Sequence, residues 1–474
     1  MGNRCAHAQS RIRRNNYGNI DMSCVPVLAI LGSTGCGKSR LSIELAKRFS
    51  GEIVSADSMQ LYKNLDIITA KVTKEEKGSV PHHMLDVVDP LNLDFCVKQF
   101  QKMTLPIIDD LLARQKLPII VGGTNYYIEA LLWKILVSGR NTDSSDNSCT
   151  EEVHDGNDEV DKMEKISIRD TDESTEELHK RLWKVDPEMA KRLHPNNRRK
   201  IIRSLEVFEN HGVTLSEILR VQRTTSGSGL GGLLRYPNSI LIWLQCKQTV
   251  LEERLSSRVD AMLETGLIQE LLDFHQRYNQ QRIESNTLPD YTKGIFQTIG
   301  FKEFHSYLIL SEEEKQEKKG QELLQKGIDD LKLVTKRYAR TQERWIRNRM
   351  IRRSDRQVPP IYILDCTDLN AWNSCVYEKA VAIVEASLRG EKPEQKPVNE
   401  FVIDVKNTDS SNEECRYCDI CEKTLVGEQW DIHLKGMRHQ RALKRKKKFA
   451  EQQKSKNMKQ SEPEELKIDA ENQS

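Results

Sequence analysis

The sequence predicts an α/β protein built on a parallel sheet, with a helical insertion and a small metal-stabilised module near the C-terminus. Three observations point there. An unbroken apolar run at 25–31 leads into the glycine-rich stretch GSTGCGKS (32–39). Short apolar runs at 52–56 and 117–121 alternate with helical patterns, the order that a parallel sheet with crossover helices produces. Paired cysteines and histidines follow beyond residue 412.

In order, 25–31 reads as a buried strand, 39–49 as an amphipathic helix, 52–56 as a strand, 95–114 as a helix, 117–121 as a strand and 125–136 as a helix. The stretch 138–174 is acidic, polar and aperiodic, and reads as a flexible insertion. Helical patterns resume over 175–222, with Pro187 and Pro195 at their boundaries. A strand at 239–245, mostly helices over 249–349 and a last strand at 361–364 complete the sheet protein. The expected organisation is therefore a basic arm at 1–24, core at 25–137, insertion at 138–174, helical segment at 175–236, the remaining core and helices at 237–387, linker at 388–412, finger at 413–442 and a basic, polar tail at 443–474.

At 474 residues the chain exceeds one ordinary domain. Its net charge of +2 averages an acidic stretch at 141–173 against a basic one at 435–449, so partners are read from local runs. No apolar stretch has membrane-spanning length, so no membrane partner is expected. Nothing resembles a secretory signal, and the 11 cysteines are expected reduced. Arg4, Arg11, Arg13 and Arg14 precede the first acid, Asp21. That start reads as a mitochondrial presequence or as a disordered basic arm. Met22 offers a shorter, cytosolic product, and the late basic run a nuclear one. A monomer is expected.

GSTGCGKS fits G-x-x-x-x-G-K-[ST] between strand and helix, the context a phosphate loop requires, and makes the core P-loop NTPase-like. Gly32, Thr34, Gly35, Cys36 and Gly37 would turn successive N–H groups toward an anion. The following helix adds its positive end. Lys38 would sit on the terminal phosphates and Ser39 on Mg²⁺. The motif identifies a polyphosphate, not a nucleotide. After the second strand, SADSMQLY (55–62) brings Asp57 to the same sheet edge. There it would bind magnesium, hold a ribose, act as a base, or simply cap a helix. GGTNYY (122–127) brings Thr124 to that edge after the third.

Five blocks in order, LGSTGCGKS, EIVSADSMQLYKNLDIITAK, PHHMLDVVDP, PIIVGGTNYYIEALLW and LHPNNRRKIIRSLEVF, resemble the signature blocks of tRNA dimethylallyltransferases, also called tRNA isopentenyltransferases. The resemblance covers about 25–350 apart from the insertion. It implies that the loop binds dimethylallyl diphosphate and that Asp57 is the general base toward the exocyclic amine of an adenosine 3′ of the anticodon. It also implies that Thr124 lies at the reaction centre and Arg203 near the diphosphate. Contacts to tRNA are implied for Asp57, Ser58, Met59 and Gln60, and for Arg199, Lys200, Ile201, Ile202 and Arg203. Many members carry Arg where this chain has Lys200, which keeps the charge but lacks the planar fork. FQTIGFKE (296–303) resembles another tRNA-contacting block, with Gln297, Gly300 and Lys302. So does TKRYARTQERWIR (335–347), whose Lys336, Arg337, Arg340, Arg344 and Arg347 recur at helical spacings. Such a helix suits a phosphate backbone or is a solvated charged face. Trp345 reads either as a base-stacking residue or as core.

Cys418, Cys421, His433 and His439 have spacings suited to tetrahedral Zn²⁺, with the middle spacing one residue shorter than the common pattern. The module resembles the C-terminal extension of eukaryotic members and fingers that bind structured RNA. The other reading is an unstructured tail. Two further readings of the whole chain compete with the transferase: a small-molecule kinase with the same loop, and a non-catalytic RNA-binding zinc-finger protein.

Overall fold

In the computed structural model, strand β1 (Val27–Gly32) is buried at every position, as an unbroken apolar run requires of a strand covered on both faces. The structure describes residues 25–134, 173–193, 195, 197–218, 220, 234–279, 291–351, 357–398, 415–426 and 429–446. The basic arm, nearly all of the acidic insertion and the end of the polar tail lie outside them. The chain divides into two units, with boundaries after residues 136, 225 and 406.

The first unit holds β1, α1 (Lys38–Phe49), β2 (Glu52–Ser55), β3 (His82–His83), α2 (Val97–Ala113), β4 (Pro118–Val121) and α3 (Asn125–Leu132). β5 (Ser239–Gln245) and β6 (Ile361–Asp365) complete a parallel sheet of order β3-β2-β4-β1-β5-β6. Successive β1 side chains feed two cores. Leu28 and Ile30 join Leu41, Leu45, Tyr362 and Ile383 on one face. Ala29 and Leu31 join Phe100, Trp133 and Trp243 on the other. The phosphate loop and the turns after β2 and β4 thus meet at the carboxyl ends of adjacent strands, where open α/β sheets bind ligands.

Two sequence expectations shift at their ends. The helix expected over 125–136 stops at Leu132, because Trp133 turns extended, bridges Leu234 and donates its indole N–H to Gln357 O at 2.9 Å. Leu234 and Arg235 therefore belong with the sheet rather than with the helical segment assigned to 175–236. The linker expected over 388–412 begins as an edge to β6, since Val398 N donates to Ile361 O and Gln395 Nε2 to Ile363 O, both at 2.8 Å.

Helices α7 (Gln248–Glu264), α8 (Leu267–Phe274), α9 (Phe301–Leu308), α10 (Lys318–Ile346) and α11 (Glu378–Leu388) also belong to the first unit. Glu270 of α8 accepts the backbone N–H groups of Asp66, Ile67 and Ile68 at 2.7–2.8 Å, and so fixes the loop that follows SADSMQLY. Glu270→Ala strands all three donors. It is expected to cost about 1–3 kcal/mol, read as a lower denaturant midpoint, while Glu270→Gln should cost less.

The second unit contains α4 (Thr175–Val185), α5 (Pro187–Arg192) and α6 (Arg198–His211). Ser174 and Glu177 cap α4 reciprocally. Leu178, Leu182, Met189, Ile201 and Leu205 form its own small core. The same unit holds the hairpin β7 (Cys415–Cys418) and β8 (Lys423–Val426), followed by α12 (Gln429–Lys435). No helix among the described residues is long and apolar enough to cross a membrane.

Candidate active site

The phosphate loop is held by what packs around it. Gly37 sits at φ +83°, and an added Cβ would come within 2.7 Å of the Trp372 ring, so only glycine permits this turn. From below, α10 reaches the loop twice. Ser33 Oγ donates to Ala339 O at 2.9 Å, and Thr34 N donates to Gln342 Oε1 at 2.8 Å. Cys36 turns its side chain into the core and donates its N–H to Ser33 O.

Two cations share this edge. Lys38 Nζ donates to Ser33 O at 2.9 Å, and Arg258 Nη1 donates to Thr34 Oγ1 at 2.7 Å. Burial depresses the pKa of both, against the opposing charge of Asp57. Cations taken out of water with so little neutralisation make a site for an anion. Ser39 is exposed at the start of α1, a hard hydroxyl oxygen beside that site.

The turns after β2 and β4 interlock. A Cβ on Gly122 would fall 2.2 Å from the Ala56 carbonyl carbon, so glycine alone lets the two backbones approach this closely. Thr124 N donates to Ala56 O at 3.2 Å. Asp57 Oδ1 accepts Met59 N at 3.1 Å and Oδ2 accepts Gly123 N at 3.2 Å. Thr124 Oγ1 accepts Ser58 N at 2.9 Å and lies 3.0 Å from Ser58 Oγ. Tyr338 and Gln342 of α10 both donate to Gly123 O, at 3.0 and 2.8 Å. Burial raises the Tyr338 pKa, which keeps the phenol a donor. A half-buried carboxylate and a hydroxyl thus flank a cation-lined phosphate loop.

Other sequence-nominated residues divide by exposure. Met59 is half-buried and its sulfur accepts Thr298 Oγ1. Gln60 is a strut, bonded to Thr69 O and Ala70 O at 3.1 Å. Gly300 is buried, and a Cβ there would meet Ile68 at 2.5 Å. Its side of the loop is packing, whereas Gln297 and Lys302 are exposed. Arg337, Arg340 and Arg344 are exposed along α10, and Arg347 just beyond its end. Arg340 pairs with Glu252 and Arg347 with Glu343. Trp345 is half-buried, edge-on to Tyr126 at 6.1 Å between ring centroids, which favours the packing reading.

In the second unit, Arg199 and Lys200 are exposed, but Ile201 and Ile202 face the core. Helical periodicity turns those two side chains, named with this block for tRNA contact, inward. Arg203 is partly exposed, 3.8 Å from Glu206. Cys418, Cys421, His433 and His439 present ligand atoms that all lie within 4.8 Å of one another. His439 Nδ1 lies 3.5 Å from Cys418 Sγ, 3.6 Å from Cys421 Sγ and 3.0 Å from His433 Nε2. Zn–S bonds of about 2.3 Å and Zn–N bonds of about 2.0 Å place tetrahedral ligand atoms about 3.3–3.8 Å apart, close to these separations, so the four residues could hold that ion. Arg438, Arg441, Arg445 and Lys446 line one concave face beyond it.

Sequence reading missed Arg258, Tyr338 and Gln342. Arg258 lies in a stretch that the sequence identified only as helical, with no motif around it. The other two stand within a block noted for its basic residues and Trp345.

Comparison with known proteins agrees with this geometry. A family model described as IPP transferase matches residues 60–349, and one described as isopentenyl transferase matches 25–86. A human tRNA dimethylallyltransferase is 45% identical over 427 residues, covering 90% of this chain and 87% of that protein. One from Saccharomyces cerevisiae is 33% identical, covering 88% and 92%. A solved structure, described as a eukaryotic dimethylallyltransferase acting on tRNA, superposes with a TM-score of 0.65 at 30% identity, covering 91% of this chain and all of that one.

Proposed function

This chain belongs to the tRNA dimethylallyltransferase family, and from that premise we propose that it transfers a dimethylallyl group from dimethylallyl diphosphate to the exocyclic amine of the adenosine 3′-adjacent to the anticodon, with Asp57 as general base. The observation that carries this is the convergence of Lys38 and Arg258 on the phosphate loop beside Asp57 and Thr124.

The amine is a poor nucleophile because its lone pair is delocalised into the ring. Its nitrogen forms the new bond to the allylic carbon as the C–O bond to diphosphate breaks. Lys38, Arg258 and the loop amides neutralise the departing charge. Asp57, fixed by Gly123 N and Met59 N, takes the proton once the base is within hydrogen-bond reach. A crevice at a sheet edge requires that base to leave its stack. Ser39, exposed at the start of α1, would hold a Mg²⁺ ion, which would supply further charge neutralisation to the diphosphate. Exposed Arg199, Lys200 and the α10 arginines supply sequence-independent contacts to the RNA backbone.

Arg258→Met should weaken binding of inorganic diphosphate about 10–100-fold, the value of one charge-assisted hydrogen bond, without changing tRNA affinity. Titration calorimetry reads both. The reaction itself is tested by incubating the full chain with Mg²⁺, labelled dimethylallyl diphosphate and unmodified tRNA carrying adenosine at that position. Label on that base without ATP supports the assignment. No transfer, alongside ATP turnover, overturns it in favour of a kinase.

A further inference from the structure

We propose that Trp372, which follows β6, is a positioning residue for diphosphate, fixing the phosphate loop at Gly37, and that Glu44 of α1 acts through it. The inference rests on reading that loop as the diphosphate site. Trp372 is 2% exposed and shares a core with Leu41 and Leu45 of α1. The benzene edge of its indole faces the loop, where the Cβ that Gly37 lacks would fall 2.7 Å from Cη2 and 2.9 Å from Cζ3. Its pyrrole N–H donates to Glu44 Oε2 at 2.9 Å. Glu44 Oε1 accepts Arg40 Nε, also at 2.9 Å, and the Arg40 guanidinium carbon lies 4.5 Å from the Trp372 ring centroid.

These contacts form a closed triangle. Arg40 and Glu44 stand four residues apart and so share one face of α1. One carboxylate holds both the indole and the guanidinium, and the guanidinium covers the indole face. Arg40 is half-exposed, so solvent screens its pull, and the buried N–H bond to Glu44 does most to orient the ring. The helix that the loop leads into thereby sets the ring that braces the loop.

Gly37 needs such a brace. It is the residue before α1, at φ +83° and ψ +21°, and has no side chain to cap the helix. Glycine exchanges readily among backbone conformations, so packing from outside must hold this one. The first half of the loop is held by α10, through Ser33 and Thr34. Trp372 supports the second half, directly ahead of Lys38 and Ser39. Without the ring, an incoming anion has to order Gly37 at the cost of its own affinity.

The test titrates inorganic diphosphate and tRNA separately into the full, zinc-loaded chain and measures KM for dimethylallyl diphosphate. Trp372→Ala should weaken diphosphate about tenfold and raise that KM in step, with tRNA affinity unchanged and kcat within about threefold. Trp372→Phe keeps a ring against Gly37 and should recover most of the affinity. Glu44→Ala should weaken diphosphate in the parent but not in the Trp372→Phe chain, which has no indole N–H to hold. A merely structural tryptophan would lower the unfolding temperature without this selective loss. The inference is overturned if folded Trp372→Ala binds diphosphate as the parent does, or loses tRNA affinity by the same factor. It is equally overturned if Glu44→Ala has the same effect in both backgrounds, and that comparison decides alone should Trp372→Ala fail to fold. A parent chain that binds no diphosphate overturns the proposed reaction as well.

Discussion

Replacing Asp57 with Ala should lower kcat by about 10²–10⁴, the usual value of a positioned base, while tRNA binds within about threefold of its parent affinity. The split follows from where Asp57 stands. Its oxygens accept Met59 N and Gly123 N on the edge shared with the phosphate loop, whereas the exposed arginines proposed to hold RNA lie on other elements. Ala also removes two acceptors from the loop, so thermal unfolding is measured alongside. Equal losses in tRNA affinity and turnover would make Asp57 a positioning residue. Unchanged turnover would remove it from the chemistry.

Cys418→Ser should release zinc, lowering its affinity more than about a hundredfold, the upper range already reached when only an outer partner of a ligand is lost. The hairpin and α12 carry few large apolar side chains, so a module of this size folds chiefly on its metal. Thermal unfolding of the sheet unit should be unchanged, because its two cores are complete without the finger. Metal analysis after chelator challenge reads the first effect, calorimetry the second. Full zinc retention in the variant would strike Cys418 from the ligand set.

The sheet and its ligand edge were legible because their signals are local. Unbroken apolar runs, a glycine-rich loop with Lys38, and the SADS and GGT turns each carry their meaning within a few residues. β3 was not legible, since a strand of two residues has no period to detect. Arg258, Tyr338 and Gln342 were not legible for another reason. Each acts on a turn more than two hundred residues away in sequence, and no spacing rule records that approach. Ile201 and Ile202 show the reverse case: one block was read as a contact surface throughout, although helical periodicity turns these two side chains into the core.

Gln342 grasps both halves of the crevice through one amide: its oxygen accepts Thr34 N and its nitrogen donates to Gly123 O. The same helix displays Arg337, Arg340 and Arg344 to solvent, with Arg347 at its C-terminal end. A ligand gripped by those arginines that displaces α10 must perturb the donor loop and the acceptor turn together. Thermodynamic reciprocity then requires that whatever factor RNA imposes on diphosphate affinity, diphosphate imposes on RNA affinity. The order in which the two substrates arrive is in that case a matter of their concentrations and rates, with one helix setting the cooperativity between them.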